Sequence, residues 1–242
     1  MLALDALSPD DIAARLAAPP AERANFLRLA AEEGHAEAQA VYGQMLLAGV
    51  GVAPDPAQAL DWFTRAAARH HPMALNMVGR CYDQGWGTSV NKARAAACFR
   101  VAADLGLPEA MYNHATLLAL GDGVAEDRPA ALALFERAAA VGYAKAINYV
   151  GSFAEDGWVH PRDMARAADC YARAAEAGDF RGQFNHARML IAAGEIDAAL
   201  PWLAHVGASG TSAFIAKAIT WLHATGDARL AREGVAAVRD GC

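Results

Sequence analysis

The sequence predicts an all-α fold, a right-handed α-solenoid of stacked helix-turn-helix repeats, and three observations predict it. The chain matches itself at a single offset of 36 residues from Gly34 to Gly178. Its 55% hydrophobic content leans on alanine, the residue of closely packed helices. Few segments carry the β-branched alternation of strands. At 242 residues the chain is long enough to bury a substantial core.

Each period reads as two helices. The first runs from about Ala38 to Leu47 and its equivalents, with Ala38, Tyr42 and Leu46 as a buried stripe at i, i+4, i+8. Gly49-Val50-Gly51 ends it, because glycine reaches left-handed backbone angles at little cost. Gly85/Gly87 and Gly121/Gly123 repeat the break. Asp55, Asn91, Asp127 and Asp163 form the next column, each able to cap the second helix, and Pro56 suits its first turn. Down that helix Ala59, Trp62, Phe63, Ala66 and Ala67 alternate large with small, and Phe63, Phe99, Phe135 and Tyr171 share one column. A single helix pair cannot bury both its faces, so neighbouring pairs must stack.

The stretch "AQAVYGQMLLAGVGVAPDPAQALDWFTRAAARH" and its three successors resemble Sel-one-like repeats (SLR), relatives of tetratricopeptide repeats. The shared pattern is a small residue, Leu-Gly, Tyr, Gly-x-Gly-Val, an acid, Lys-Ala, an aromatic pair and Ala-Ala-x-x-Gly. Tyr42, Val78, His114 and Val150 replace the usual leucine. The resemblance divides the chain into 1–33, N-terminal capping helices that include the half repeat "ANFLRLAAEEGH", and 34–178, four full repeats. Residues 179–210 follow as a degenerate fifth repeat lacking about four residues of its interhelix loop, and 211–242 as C-terminal capping helices, with Ala228–Val238 the terminal cap. It implies a scaffold that binds proteins or peptides and implies no chemistry. In such families the first helices line the concave surface.

Composition narrows the function further. A net charge of −6 with scattered basic residues excludes a nucleic-acid footprint, and no apolar run reaches the roughly 18 residues of a membrane span. Asp5, Asp10 and Asp11 stand where a secretory signal would be apolar, so the expected compartment is the cytoplasm. Cys81, Cys98, Cys170 and Cys242 show no CxxC spacing and read as reduced, mostly buried thiols. Cysteine-rich members of the family, linked to β-lactam binding or hydrolysis, carry a cysteine pair in most repeats, which this chain does not. That enzyme reading stands as the alternative to a non-enzymatic adaptor, beside a structural or regulatory module of a separately encoded enzyme.

No local motif supplies chemistry, and no metal or cofactor is called for. The glycine pairs follow no strand and continue to no Gly-Lys-Ser, so they are turns. "GDGVAED" lacks the alternating oxygen ligands and terminal Glu of a calcium loop. No HExxH or Gly-x-Ser-x-Gly occurs. His70-His71 is a poor chelate, since neighbours on a helix point about 100° apart, and reads as a surface pair at the end of a second helix. "YNHA" at Tyr112–Ala115 returns as "FNHA" at Phe184–Ala187, two periods later. With about 10 Å between helix pairs, His114 and His186 lie too far apart to share a metal and read as partly buried, hydrogen-bonded imidazoles.

Repeats must agree where they touch each other and vary where they touch something else. On the first helix the most variable columns are those of 37, 41, 44 and 48, one helical face opposite the Ala38/Tyr42/Leu46 stripe. From that face come the candidate peptide-binding residues: Met77, Arg80, Asn113, Tyr149, Asn185 and Arg188. An asparagine amide donates and accepts at once and so can bracket a peptide unit. Glu37 and Glu109 make the first part of the face acidic, whereas Lys145, Arg181 and Arg188 make the last part basic. The expected partner is therefore an extended segment that presents an acidic stretch or a free C-terminus to the last repeats, received by Asn185 and Arg188 side by side.

Overall fold

The computed structural model describes residues 7–241, so expectations that fall on Asp5 and Cys242 lie outside the described residues. Among them every regular element is helical. The chain forms two compact units, Met1–Asp127 and Arg128–Cys242. Unit 1 holds α1 (Pro9–Ala17), α2 (Pro20–Glu32), α3 (Ala36–Ala48), α4 (Pro56–Ala67), α5 (Pro72–Gln84), α6 (Lys92–Asp104) and α7 (Pro108–Leu120). Unit 2 holds α8 (Arg128–Ala140), α9 (Ala144–Asp156), α10 (Met164–Glu176), α11 (Phe180–Ala192), α12 (Ile196–Ser209) and α13 (Ser212–Ala224). It ends in a π-helical turn, Leu230–Gly234, that runs into α14 (Val235–Asp240). From α2 to α7, and again from α8 to α12, each helix packs on the ones before and after it in sequence, the packing of an α-solenoid.

The repeating columns acquire physical causes. Gly49, Gly85, Gly121 and Gly157 close the first helices with left-handed angles of 69°, 75°, 65° and 68°. Asp55, Asn91 and Asp163 accept the backbone N–H three residues on, at 2.9, 3.0 and 2.9 Å. Small residues at the column of Gly43, Gly79 and Gly151 make room for the aromatic of the following helix. A Cβ there would stand 2.7 Å from Phe63, 2.6 Å from Phe99 and 2.8 Å from Tyr171. The second glycine of each turn has another reason: a Cβ on Gly87 would lie 2.2 Å from the Pro56 carbonyl oxygen, so the turn after α5 packs directly on the start of α4. The shortened fifth loop is residues 193–195, against 49–55 in the first copy.

His70 and His71 differ from a plain surface pair. His70 stands in the column of Gly34, Gly106, Gly142 and Gly178 and takes the same left-handed turn, at φ 57°. His71 caps the next helix: its Nδ1 accepts the Ala74 N–H at 3.2 Å, and its Nε2 lies 2.8 Å from Glu37 Oε2. The turn between repeats is so short that the residue after it is already the N-cap, a column that Asp179 occupies before α11.

Candidate functional site

The first helices of each unit carry an open groove. In unit 1 a cavity of about 690 Å³ is bordered by Leu47, Met73, Met77 and Trp86 on its apolar side and by Gln44, Asn76, Arg80 and Glu109 on its polar side. Met77 is 4% exposed and packs into the core beneath the cavity. Arg80 is exposed, with its guanidinium 4.9 Å over the Trp86 ring and Nη1 3.7 Å from the Met77 sulfur. Asn113 lines an adjoining hollow of about 230 Å³ that shares Arg80 and Trp86. Its Nδ2 donates to Asn76 Oδ1 at 2.9 Å, which ties neighbouring first helices together.

Unit 2 repeats the arrangement with different walls. A cavity of about 450 Å³ is bordered by Tyr149, Trp158, Phe184, Phe214 and Trp221, with Asn148, Ser152, Asp156, Arg181, Asn185 and Arg188 among its polar groups. Tyr149 stacks on Phe135 at 4.8 Å, and Phe184 meets Phe214 and Trp221 edge-on at 5.6 and 5.4 Å. Asn185 Nδ2 donates to Asn148 Oδ1 at 2.8 Å, the same bond that Asn113 makes to Asn76. Asn76 and Asn148, Trp86 and Trp158, and Asn113 and Asn185 are each separated by two periods, so each unit holds one copy of the same asparagine pair and tryptophan.

Arg188 is not a free cation. It donates through Nη2 to Glu155 at 2.9 Å and through Nε to Asn185 Oδ1 at 3.2 Å. Glu155 also accepts from the Tyr171 hydroxyl at 2.6 Å, and that hydroxyl stands 3.3 Å from Ser152 Oγ. Burial, and then the hydrogen bond to Glu155, push the Tyr171 phenol well above its ordinary range, so it stays a donor. Arg181 has no carboxylate within ion-pair reach among the described residues, and its guanidinium lies 4.5 Å over Phe180 and 5.7 Å over Phe214. Met77, Arg80 and Asn113 are thus gathered in unit 1, and Tyr149, Asn185 and Arg188 in unit 2.

Asn76, Asn148, Trp86, Trp158 and Glu155 lie outside the variable columns of the first helix. A signal for the first four was available: each pair recurs at the 72-residue spacing of the Asn-His motif. The tryptophans sit in turns, which reads as structure alone, and Glu155 reaches Arg188 from the preceding repeat.

Three thiols and two imidazoles are packed into or against the helices. Cys81, Cys98 and Cys170 are free, and burial raises each thiol, Cys81 to about 11, which makes them poor nucleophiles. No group of three His, Cys, Asp or Glu among the described residues could hold a metal. No helix there is long and apolar enough to cross a membrane. His186 departs from the expected hydrogen-bonded imidazole, for its Nδ1 has no partner and the ring packs edge-on against Trp202 at 5.2 Å.

Burial, as the largest cause, holds both His114 and His186 below the ordinary 6.5. The unfolded chain therefore takes up protons near 6.5 that the folded chain refuses. The stability that these two groups sustain is full above about 6.5 and declines as pH falls towards the lowered folded values. Chemical denaturation at pH 7 and pH 5 should show the wild type losing more stability than the His114→Val/His186→Val chain. Equal losses would contradict it.

Comparison with known proteins agrees with this geometry. The Sel1 repeat pattern matches residues 36–71, 72–107, 108–143 and 144–179. A Sel1 repeat protein from Oxalobacter formigenes is 26% identical, with a TM-score of 0.75 over 91% of this chain and 96% of its own. A protective antigen from uropathogenic Escherichia coli, described as displaying an SLR fold, is 26% identical with a TM-score of 0.69 over 92% of this chain. This chain spans about half of that protein, 49%. An immunity protein from Pseudomonas aeruginosa, 16% identical with a TM-score of 0.55 over 84% of this chain and 75% of its own, shares the fold. No curated protein matches the chain.

Proposed function

The chain belongs to the Sel1 repeat family, and on that premise we propose that it is a non-enzymatic cytoplasmic adaptor that holds extended segments of partner proteins in the grooves of its first helices. The observation that carries this reading is the repeated constellation: in each unit an asparagine pair and a tryptophan border an open cavity with mixed apolar and polar walls. Aromatic walls take side chains, and amide groups pair with main chain. The segment presents an acidic stretch or a free C-terminus to unit 2, where the groove is lined by Arg181, which has no carboxylate in ion-pair reach among the described residues, beside the Glu155-paired Arg188.

Selection of peptides from a random display library against the full chain tests this, followed by titration of the selected peptides at low and high salt. Arg188→Ala should weaken binding by about 1.5–3 kcal/mol, the worth of a charge-assisted hydrogen bond, and flatten its salt dependence. Because removing Arg188 also leaves Glu155 unpaired, Arg181→Ala serves as the companion variant, with the same expected direction. Equal affinities and equal salt slopes in both variants would remove unit 2 as the binding site.

A further inference from the structure

The two grooves share a frame but not its charges. Glu109 in unit 1 and Arg181 in unit 2 stand two periods apart, at the same place on their helices, and so do Arg80 and Ser152. The column that is basic in unit 2 is therefore acidic in unit 1. Glu109 and Arg80 both border the unit 1 cavity. Glu109 is half-buried, Arg80 is exposed, and neither has an oppositely charged partner among the described residues. The Arg80 guanidinium lies over the Trp86 ring, which fixes its plane and leaves its N–H edge for a carboxylate.

The spacing of these two charges defines what fits. The bond from Asn113 to Asn76 joins the sixth residue of α7 to the fifth of α5, so the two helices lie side by side in nearly one register. Glu109 is the second residue of α7 and Arg80 the ninth of α5. Seven residues of helix rise about 10 Å and neighbouring helices stand about 10 Å apart, so the two positions are offset by about 14 Å. Met73 and Met77 line the wall between them, with Leu47 and Trp86 alongside. An extended chain advances about 3.4 Å per residue, so its residues i and i+4 span that offset, and the alternation of side chains puts i, i+2 and i+4 on one face. The side chain at i+2 then meets the thioethers, which adapt to different shapes. A helical segment would hold its i and i+4 groups only about 6 Å apart and leave one charge unanswered.

We propose that the unit 1 groove takes an extended partner segment with a basic residue at i, an apolar residue at i+2 and an acidic residue at i+4. Glu109 receives the first, Met73 and Met77 the second, and Arg80 the third. This rests on the segment-binding reading above and names the segment that unit 1 selects.

The test uses nine-residue peptides acetylated and amidated at their ends, so that no terminal charge contributes. Each carries Lys, Leu and Glu at alternate positions in a Gly/Ser background, and companions carry Gln for either charge or Glu for the Lys. Titration is read at the Trp86 indole NMR signal of the full chain. The Lys-Leu-Glu peptide should bind about fivefold more tightly than either Gln peptide, and high salt should erase the difference. Glu109→Lys should reverse the order, so that the peptide with Glu at both ends binds best. Arg80→Glu, at an exposed position, should weaken the Lys-Leu-Glu peptide at least fivefold, and it carries the test if Glu109→Lys melts early. Equal binding of all peptides at Trp86, unaltered in both variants, would overturn the charge assignment and leave segment binding standing. Shifts at Trp158 and Trp221 in place of Trp86 would overturn the placement in unit 1. A dimer in solution that Arg80→Glu breaks and no peptide competes with would give the groove to a second copy of the chain instead. Binding neither of these peptides nor of any from the display library would overturn both readings.

Discussion

Phe99→Ala is expected to destabilise the chain by about 3–5 kcal/mol, the range for deleting a buried aromatic ring. Phe99 is 2% exposed on α6, packed with Ala95, Ala96 and Leu117, and its ring edge rests where a Cβ on Gly79 would lie 2.6 Å away. The α5 helix has no side chain at that point to fall into the void. The cavity therefore cannot collapse, which places the cost high in the range. Urea denaturation reads the effect, and a midpoint within error of wild type would mean that the aromatic column does not join the helices of a pair.

Gly87→Ala should cost about 3 kcal/mol for two separable reasons. At φ +69° an alanine is strained by about 1–2 kcal/mol. Its Cβ would also lie 2.2 Å from the Pro56 carbonyl oxygen, a backbone atom at the start of α4 that cannot rotate aside, and overpacking of this kind adds about 1–3 kcal/mol. Gly106→Ala supplies the control. Its φ is +91°, yet nothing stands within 4 Å of the added carbon, so only the conformational cost remains. Equal losses in the two variants would show that the turn after α5 does not lock one repeat onto the previous one.

These two positions explain how much of the fold was legible. Phe99 and Gly87 belong to contacts that every repeat makes with its neighbour, so each leaves a column at a 36-residue spacing. The caps were legible for the same reason: Asp55, Asn91 and Asp163 answer a local need that recurs. The site was legible only in part. Asn113 and Asn185 stood out because their column varies, but their partners Asn76 and Asn148 lie one residue to the side, on the margin between the buried stripe and the open face. The pairing of Arg188 with Glu155 was hidden because it crosses between helices 33 residues apart, and no single-helix pattern encodes it. His71 was misread because a cap imidazole and a surface imidazole have the same one-dimensional surroundings.

The five tryptophans offer the most direct measurement of the central claim that the grooves of the first helices bind the partner segment. Trp86 borders the unit 1 groove, and Trp158 and Trp221 border that of unit 2. Trp62 is buried in the core of α4, and Trp202 packs against His186 and His205 on α12. Each indole N–H gives one resonance in a two-dimensional proton–nitrogen NMR spectrum. Titration with a peptide selected from the display library should move the Trp158 and Trp221 indole signals and leave Trp62 and Trp202 in place. Movement of Trp62 or Trp202 with Trp158 and Trp221 unchanged would put the partner on the second-helix side and contradict the account.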